Sequence, residues 1–432
     1  MPVMVGATRR YAAGLLCALA SLSGAHAGQP REVRAWTTAW AAAMLRSPLP
    51  GNMVIGATQT APALDGQTVR QMVRLAAGGQ QIRVRLSNVF GRRPLAIAAA
   101  SVGMPVQGAD GHLDGASLHA LRFHGQASAT VPPGGTLYSD PVDMSVRAGD
   151  VLGVSLYVAG PTAPSTWNPD ALRASTISTR GNYTMAATLP RASTTLATLW
   201  LSGVDVAASR TTPVVVALGD SITNGFRSDA DADHSYPARL AERLRDRQPM
   251  CRVAVLNAGI DGNELSADDG GYGPGESMER RFGRDVFAQH GVRYVILLAG
   301  INDIGESTMA DHRRGRPFDG LAITAHVIAA QRRLIDRAHA AGLRIIGATL
   351  TPFEGTLDAY SAQGERARQR INVWIRHRAP FDAVIDFDAA LRDPAHPARL
   401  RPALDSGDHL HPDDRGYAAM AAAVPPALFG CR

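Results

Sequence analysis

The chain contains no lysine, so all 44 of its basic residues are arginine. That absence excludes a Schiff-base lysine, a phosphate-loop lysine and a Ser-Lys dyad. Cysteine is nearly as scarce, with three residues, Cys17, Cys251 and Cys431. The apolar run from Tyr11 to about Leu22 is too short to span a membrane comfortably, so no stable membrane insertion is expected. Aromatic residues amount to 6% and are hardly interleaved with the arginine groups Arg280/Arg281/Arg284, Arg313/Arg314/Arg316 and Arg366/Arg368/Arg370. Such groups read as solvated helix faces or loops, and nucleic-acid binding is not expected. What the chain does have is length and apolar content. Its 432 residues suggest two or three domains, and 45% hydrophobic against 19% charged residues is enough to bury large cores.

Residues 1–27 have the pattern of a secretory signal: Arg9 and Arg10, the apolar run, then Ala25-His26-Ala27 as a cleavage site. The expected location is therefore secreted or periplasmic. Cys17 would leave with the signal. Cys251 and Cys431 remain, and in an exported protein they are expected to close one disulfide, the alternative being two unpaired thiols.

Residues 28–206 are mainly β in character. Gln81 to Leu86 alternates apolar and polar side chains, and Leu95 to Val102, Thr136 to Val142 and Val151 to Val158 are further strand candidates between turn-rich pieces. This predicts an all-β sandwich or jelly-roll domain, with one helix over Ala35 to Met44. Trp167 and Trp200 are either a sugar-stacking face or core. Residues 207–213 form a small, polar linker. From 214 to 432 strands (214–218, 252–257, 293–299, 343–350, 382–387) alternate with helices (236–247, 276–289, 321–341, 362–378, 413–423). That alternation predicts a doubly wound parallel sheet of α/β class.

The candidate chemistry gathers at the carboxyl ends of those strands. Val214 to Gly225 reads VVVALGDSITNG and presents Ser221 just past a buried strand, as a nucleophile or as an ordinary turn residue. Thr223 replaces the second glycine of G-x-S-x-G, which disfavours an α/β-hydrolase elbow. Serine needs a base and the base a partner. Asp408 and His411, three residues apart near the C-terminus, can supply both; a metal cluster of Asp408, His409, His411 and Asp413, or a plain polar loop, are the competing readings. Oxyanion donors are available at Asn257 to Asn263, with Gly259 and Gly262, and at Gly300-Ile301-Asn302-Asp303. Gly270 to Gly275 is either a mobile loop near the site or a plain surface loop.

Taken in order, Gly219-Asp220-Ser221, the Asn257 to Asn263 segment, Gly300-Ile301-Asn302-Asp303 and Asp408-His409-Leu410-His411 resemble the four blocks of the GDSL or SGNH hydrolases. The resemblance covers residues 210–432. It implies a flavodoxin-like sheet, no cofactor, no metal, and a triad of Ser221, His411 and Asp408. The oxyanion hole it implies consists of the Ser221 and Gly262 N–H groups and the Asn302 side chain. A β-rich domain ahead of such a hydrolase also resembles exported bacterial arylesterases and carbohydrate acetylesterases. The expectation is an exported serine ester hydrolase acting on short acyl groups, acetyl first, of small-molecule or polysaccharide esters. The alternatives are a lipolytic esterase, lysophospholipase or thioesterase on longer chains, or an inactive glycan-binding envelope protein.

Overall fold

The computed structural model describes residues 35–49, 60–106, 111–247, 251–266 and 275–431. The signal expected over 1–27, Cys17 within it, and residues 270–274 of the glycine-rich stretch lie outside these. As far as Ala208 the chain builds antiparallel sheets. One orders its strands Ala35–Ala41, Leu201–Ala208, Gly79–Ser87 and Val142–Val146, with Thr136–Tyr138 also paired to Gly79–Ser87. Another runs Arg191–Thr195, Ser175–Arg180, Gln67–Arg74, Val151–Val158, Ala99–Gly103 and His119–Ala120.

The helix expected over Ala35 to Met44 is a strand instead, Ala35–Ala41, antiparallel to Leu201–Ala208. Its alanines favour a helix locally, but pairing with a long partner strand and a bond from Thr38 Oγ1 to Asp205 Oδ1 at 2.9 Å outweigh that propensity. Trp167 and Trp200 are 0% and 1% exposed, so they pack the core and form no sugar-stacking face. The strand Leu201–Ala208 also takes in the first two residues of the expected linker.

Past Pro213 the pairing becomes parallel. The strands are β1 (Val214–Gly219), β2 (Ala254–Gly259), β3 (Val292–Leu298), β4 (Arg344–Ala348) and β5 (Ala383–Ile385). Their order is β2-β1-β3-β4-β5, the flavodoxin-like arrangement. The helices are α1 (Ser221–Asn224), α2 (Tyr236–Arg245), α3 (Met278–Phe282), α4 (Ile301–Arg313), α5 (Gly320–Ala340), α6 (Ala362–His377), α7 (Phe387–Leu391) and α8 (Asp414–Ala423). β1 is buried at every residue, as a central parallel strand covered on both faces must be. Three of the helices are absent from the sequence expectation, α1, α4 and α7. The expected helix 276–289 is five helical residues followed by a wider π-helical turn over Gly283–Phe287. Among the described residues no helix is long and apolar enough to cross a membrane.

Residues Arg34–Arg432 make one compact unit. Bonds between its two halves include Thr38 N–H to His290 O at 3.0 Å, Arg85 Nη2 to Gln289 Oε1 at 3.0 Å and Arg74 Nε to Asp233 Oδ2 at 2.5 Å. Cys251, ahead of β2, is disulfide-bonded to Cys431.

Candidate active site

In the 2-1-3-4-5 order the chain reverses direction between β1 and β3, and their carboxyl ends border the crevice where open sheets bind ligands. At the end of β1 the backbone turns directly into α1, so that Ser221 is the first helical residue. Glycine is needed just before the turn, because a Cβ at 219 would lie 2.1 Å from Thr223 Oγ1 and 2.6 Å from Leu298 O. Asp220 caps α1, its Oδ1 accepting the Ile222 N–H at 3.0 Å. Complete burial pushes the Asp220 carboxyl up to about 7, against the pull of the Ile222 N–H and the Arg281 charge.

Ser221 Oγ lies 2.8 Å from His411 Nε2, and His411 Nδ1 lies 2.8 Å from Asp408 Oδ2. The carboxylate partner assigns the imidazole proton to Nδ1, which leaves Nε2 free to accept the serine proton. Asp408 is locked in turn: Oδ1 accepts the Leu410 and His411 N–H groups at 3.0 and 2.8 Å, and Oδ2 also accepts Arg227 Nε at 3.2 Å. Partial burial alone would raise its carboxyl. The hydrogen bond and charge of His411 and the two amides outweigh burial and hold it well below the usual carboxylate range. Phe226 sets its ring edge-on to His411, 4.8 Å between centroids. The alternative metal cluster does not assemble: His409 Nδ1 pairs with Asp405 Oδ2 at 2.7 Å, and Asp413 Oδ1 caps α8 through the Gly416 N–H at 2.8 Å. Asp229, His234 and Asp414 do converge, with Asp414 accepting the Asp229 N–H and a bond from His234 Nδ1.

Beside Ser221, the turn after β2 is stitched to β1 by the Ile260 N–H on Gly219 O at 3.2 Å. Of the two candidate glycines, Gly259 has its N–H committed to Asn257 Oδ1 at 2.9 Å, and a Cβ there would lie 2.2 Å from Asn224 N. Gly259 is thus a packing glycine, whereas Gly262 sits in the turn itself with φ +71°. Asn302, in the first turn of α4, donates Nδ2 to Asn263 O at 3.1 Å, which brings the ends of β2 and β3 together. All the residues singled out for the site therefore lie at the ends of β1, β2 and β3 or on the loop ahead of α8. The N-terminus of α4, which carries Asn302, adds the positive end of a helix dipole.

Arg281 is a correction to the sequence expectation. It belongs to a group read as solvated, yet it is 0% exposed. Its guanidinium donates to Gly219 O and Ala258 O at 2.8 Å each, to Asn263 Oδ1 at 2.9 Å and to Asp285 Oδ2 at 2.9 Å. One side chain thus holds the ends of β1 and β2 and the turn that carries Gly262. Arg368, from another such group, is equally buried and bonds Leu350 O past β4 at 2.8 Å, with Glu365 and Asp388 as charge partners. Paired arginines in the sequence carry no signal that separates these from their solvated neighbours.

A family model described as GDSL-like lipase/acylhydrolase matches residues 217–419. No curated protein matches the sequence. Among solved structures the chain is similar to an acetylxylan esterase from Geobacillus stearothermophilus, at 21% identity over 49% of this chain and 91% of that one, TM-score 0.36. It is also similar to a GDSL-like lipase from Bacteroides thetaiotaomicron VPI-5482, at 17% identity over 50% and 88%, TM-score 0.34. A third is an alpha/beta hydrolase enzyme from the metagenome of Lake Arreo, Spain, at 22% identity over 51% and 95%, TM-score 0.38. Over residues 217–419 the chain belongs to the GDSL-like lipase/acylhydrolase family, and it is a carboxylic ester hydrolase.

Proposed function

We propose that the protein is an exported serine esterase that removes short acyl groups, acetyl first, from carbohydrate esters by way of an acyl-enzyme. The observation that carries this reading is the unbroken chain from Ser221 Oγ through His411 to Asp408, with both links at 2.8 Å. Ser221 Oγ attacks the acyl carbon while His411 Nε2 takes its proton. The tetrahedral intermediate expels the alcohol, which receives that proton. Water, activated by the same base, then attacks the acyl-enzyme, releases the acid and restores the serine hydroxyl. Asp408 remains ionised throughout and stabilises the imidazolium. The Ser221 and Gly262 N–H groups and the Asn302 amide are the donors for the oxyanion. Phe226 packs on His411 and Arg227 bonds Asp408, so both hold the base in place. Export rests on the residue pattern of 1–27, and the carbohydrate on the likeness of the two-part chain to exported acetylesterases.

The test is hydrolysis of a short-to-long p-nitrophenyl ester series, with release of acetic acid from an acetylated polysaccharide, by the mature protein beside Ser221→Ala. Acetate-biased turnover, reduced on the order of 10⁴-fold or more in Ser221→Ala, is the expected result. A preference for long chains would replace the carbohydrate reading with a lipid or thioester one. Turnover that survives Ser221→Ala would overturn the mechanism.

A further inference from the structure

We infer that Asp170, contributed by the strand-rich half, is a positioning residue for the oxyanion side of the site and acts through a proton it shares with Asp261. The inference rests on Ser221-dependent ester hydrolysis and on neither the acetyl group nor the carbohydrate.

Asp170 lies just past the strand Thr166–Asn168 and is 7% exposed. Its carbonyl oxygen accepts Asn224 Nδ2 at 2.9 Å, and the same amide nitrogen donates to Asp261 Oδ1 at 2.9 Å. Asn224 closes α1, which Ser221 opens, and Asp261 immediately precedes Gly262. One amide therefore joins the nucleophile helix, the oxyanion turn and the other half of the molecule. The two carboxyl groups are close enough to act on each other. Asp261 Oδ2 is shut off from solvent and receives no N–H or O–H from the described residues. A carboxylate in that position facing another carboxylate is tolerable only if one proton lies between them, the O–H of one group donating to the other. Burial raises both carboxyls, and the charge of Asp170 raises Asp261 further. Asp220, beneath Ser221, and Tyr417 of α8 also face the pair, and neither supplies positive charge.

With the proton in place, Asp170, Asn224 and Asp261 form one bonded unit beside Gly262. Without it, two buried negative charges repel next to the oxyanion turn. The consequence is an alkaline loss of kcat with little change in KM, because a misplaced donor weakens transition-state binding more than ground-state binding.

The experiment measures kcat and KM for p-nitrophenyl acetate from pH 6 to 9.5, for the wild type, Asp170→Asn, Asp170→Ala and Ser221→Ala, and thermal unfolding midpoints over the same range. Asp170→Asn provides a permanent N–H to the Asp261 carboxylate. It should keep kcat within about threefold at pH 7 and lose the alkaline decline, while Asp170→Ala should lose about tenfold or more in kcat at every pH with KM nearly unchanged. A decline in Asp170→Asn that matches the wild type, or full kcat in Asp170→Ala, would overturn the inference. If Asp170→Ala does not fold, the Asp170→Asn profile decides. If the wild type shows no Ser221-dependent turnover, the hydrolase mechanism fails on its own. The shared proton is then judged by whether Asp170→Asn removes part of the alkaline fall in unfolding midpoint.

Discussion

Asp303 shows how far a single residue's behaviour departs from its letter in the chain. It follows Asn302 in what reads as a polar turn, Gly-Ile-Asn-Asp, yet it is 2% exposed, and both of its oxygens lie 3.3 Å from the Leu265 N–H. Burial, with the charge of Glu264 added, pushes its carboxyl up to about 8, and burial brings Glu306 to about 7. With Asp220 also near 7, the folded protein holds protons that the unfolded chain releases near pH 4. Where the native state binds more protons than the unfolded state, stability falls as pH rises. Stability is therefore expected to drop on the order of a few kcal/mol between about pH 4 and pH 8. Asp303→Asn should flatten much of that slope without lowering stability at pH 5. Denaturant midpoints at pH 5, 7 and 9 check it, and an unchanged slope in the variant would count against the assignment. That Asp408 and His411 could pair was legible because they are close in sequence and lie on one loop. The titration of Asp303 was not, because it depends on which chain segments cover it.

Among the elements, β1 and β3 keep their expected bounds to within one residue, whereas α4 was not expected and α3 is shorter than expected. The apolar runs of the two strands identify themselves by composition, whereas α4 begins in the turn residues Gly300 and Asn302 and includes Gly305, so no helical pattern stands out. The expected helix 276–289 places Arg281 correctly on a helix but says nothing of its burial. Since Arg281 bonds Gly219 O, Ala258 O and Asn263 Oδ1, Arg281→Met should strand these acceptors and the Asp285 charge together. The expected cost is about 3–5 kcal/mol in a urea titration. A kcat loss in the variant that remains folded should accompany it, since the strand ends it holds carry Ser221 and Gly262. A loss below 1 kcal/mol, on the order of an exposed ion pair, would show that the strand ends need no such clamp.

For the whole molecule, the bond between Cys251 and Cys431 spans 180 residues and ties the end of the chain to the entry of β2. Replacing both cysteines by serine should cost about 2–5 kcal/mol, mainly by freeing the unfolded chain. Guanidinium unfolding of the double variant beside the oxidised wild type checks this, and equal midpoints would mean that the bond contributes no stability. The strand-rich half is joined to the site through Asp170 and Asn224, a contact between residues 54 positions apart that no local pattern announces. By itself the sequence determined the change from antiparallel to parallel pairing near residue 213, the strands of the second half, and which serine, histidine and aspartate are the candidates for the site. These follow from hydrophobic periodicity, turn chemistry and short spacings, all of which are local. Only the tertiary structure decided that Ala35–Ala41 is a strand, that Trp167, Trp200, Arg281 and Arg368 are buried, and that Asp170 meets Asn224. Those outcomes depend on which distant segments come into contact, and burial and proton affinity are set by the neighbours a residue acquires on folding.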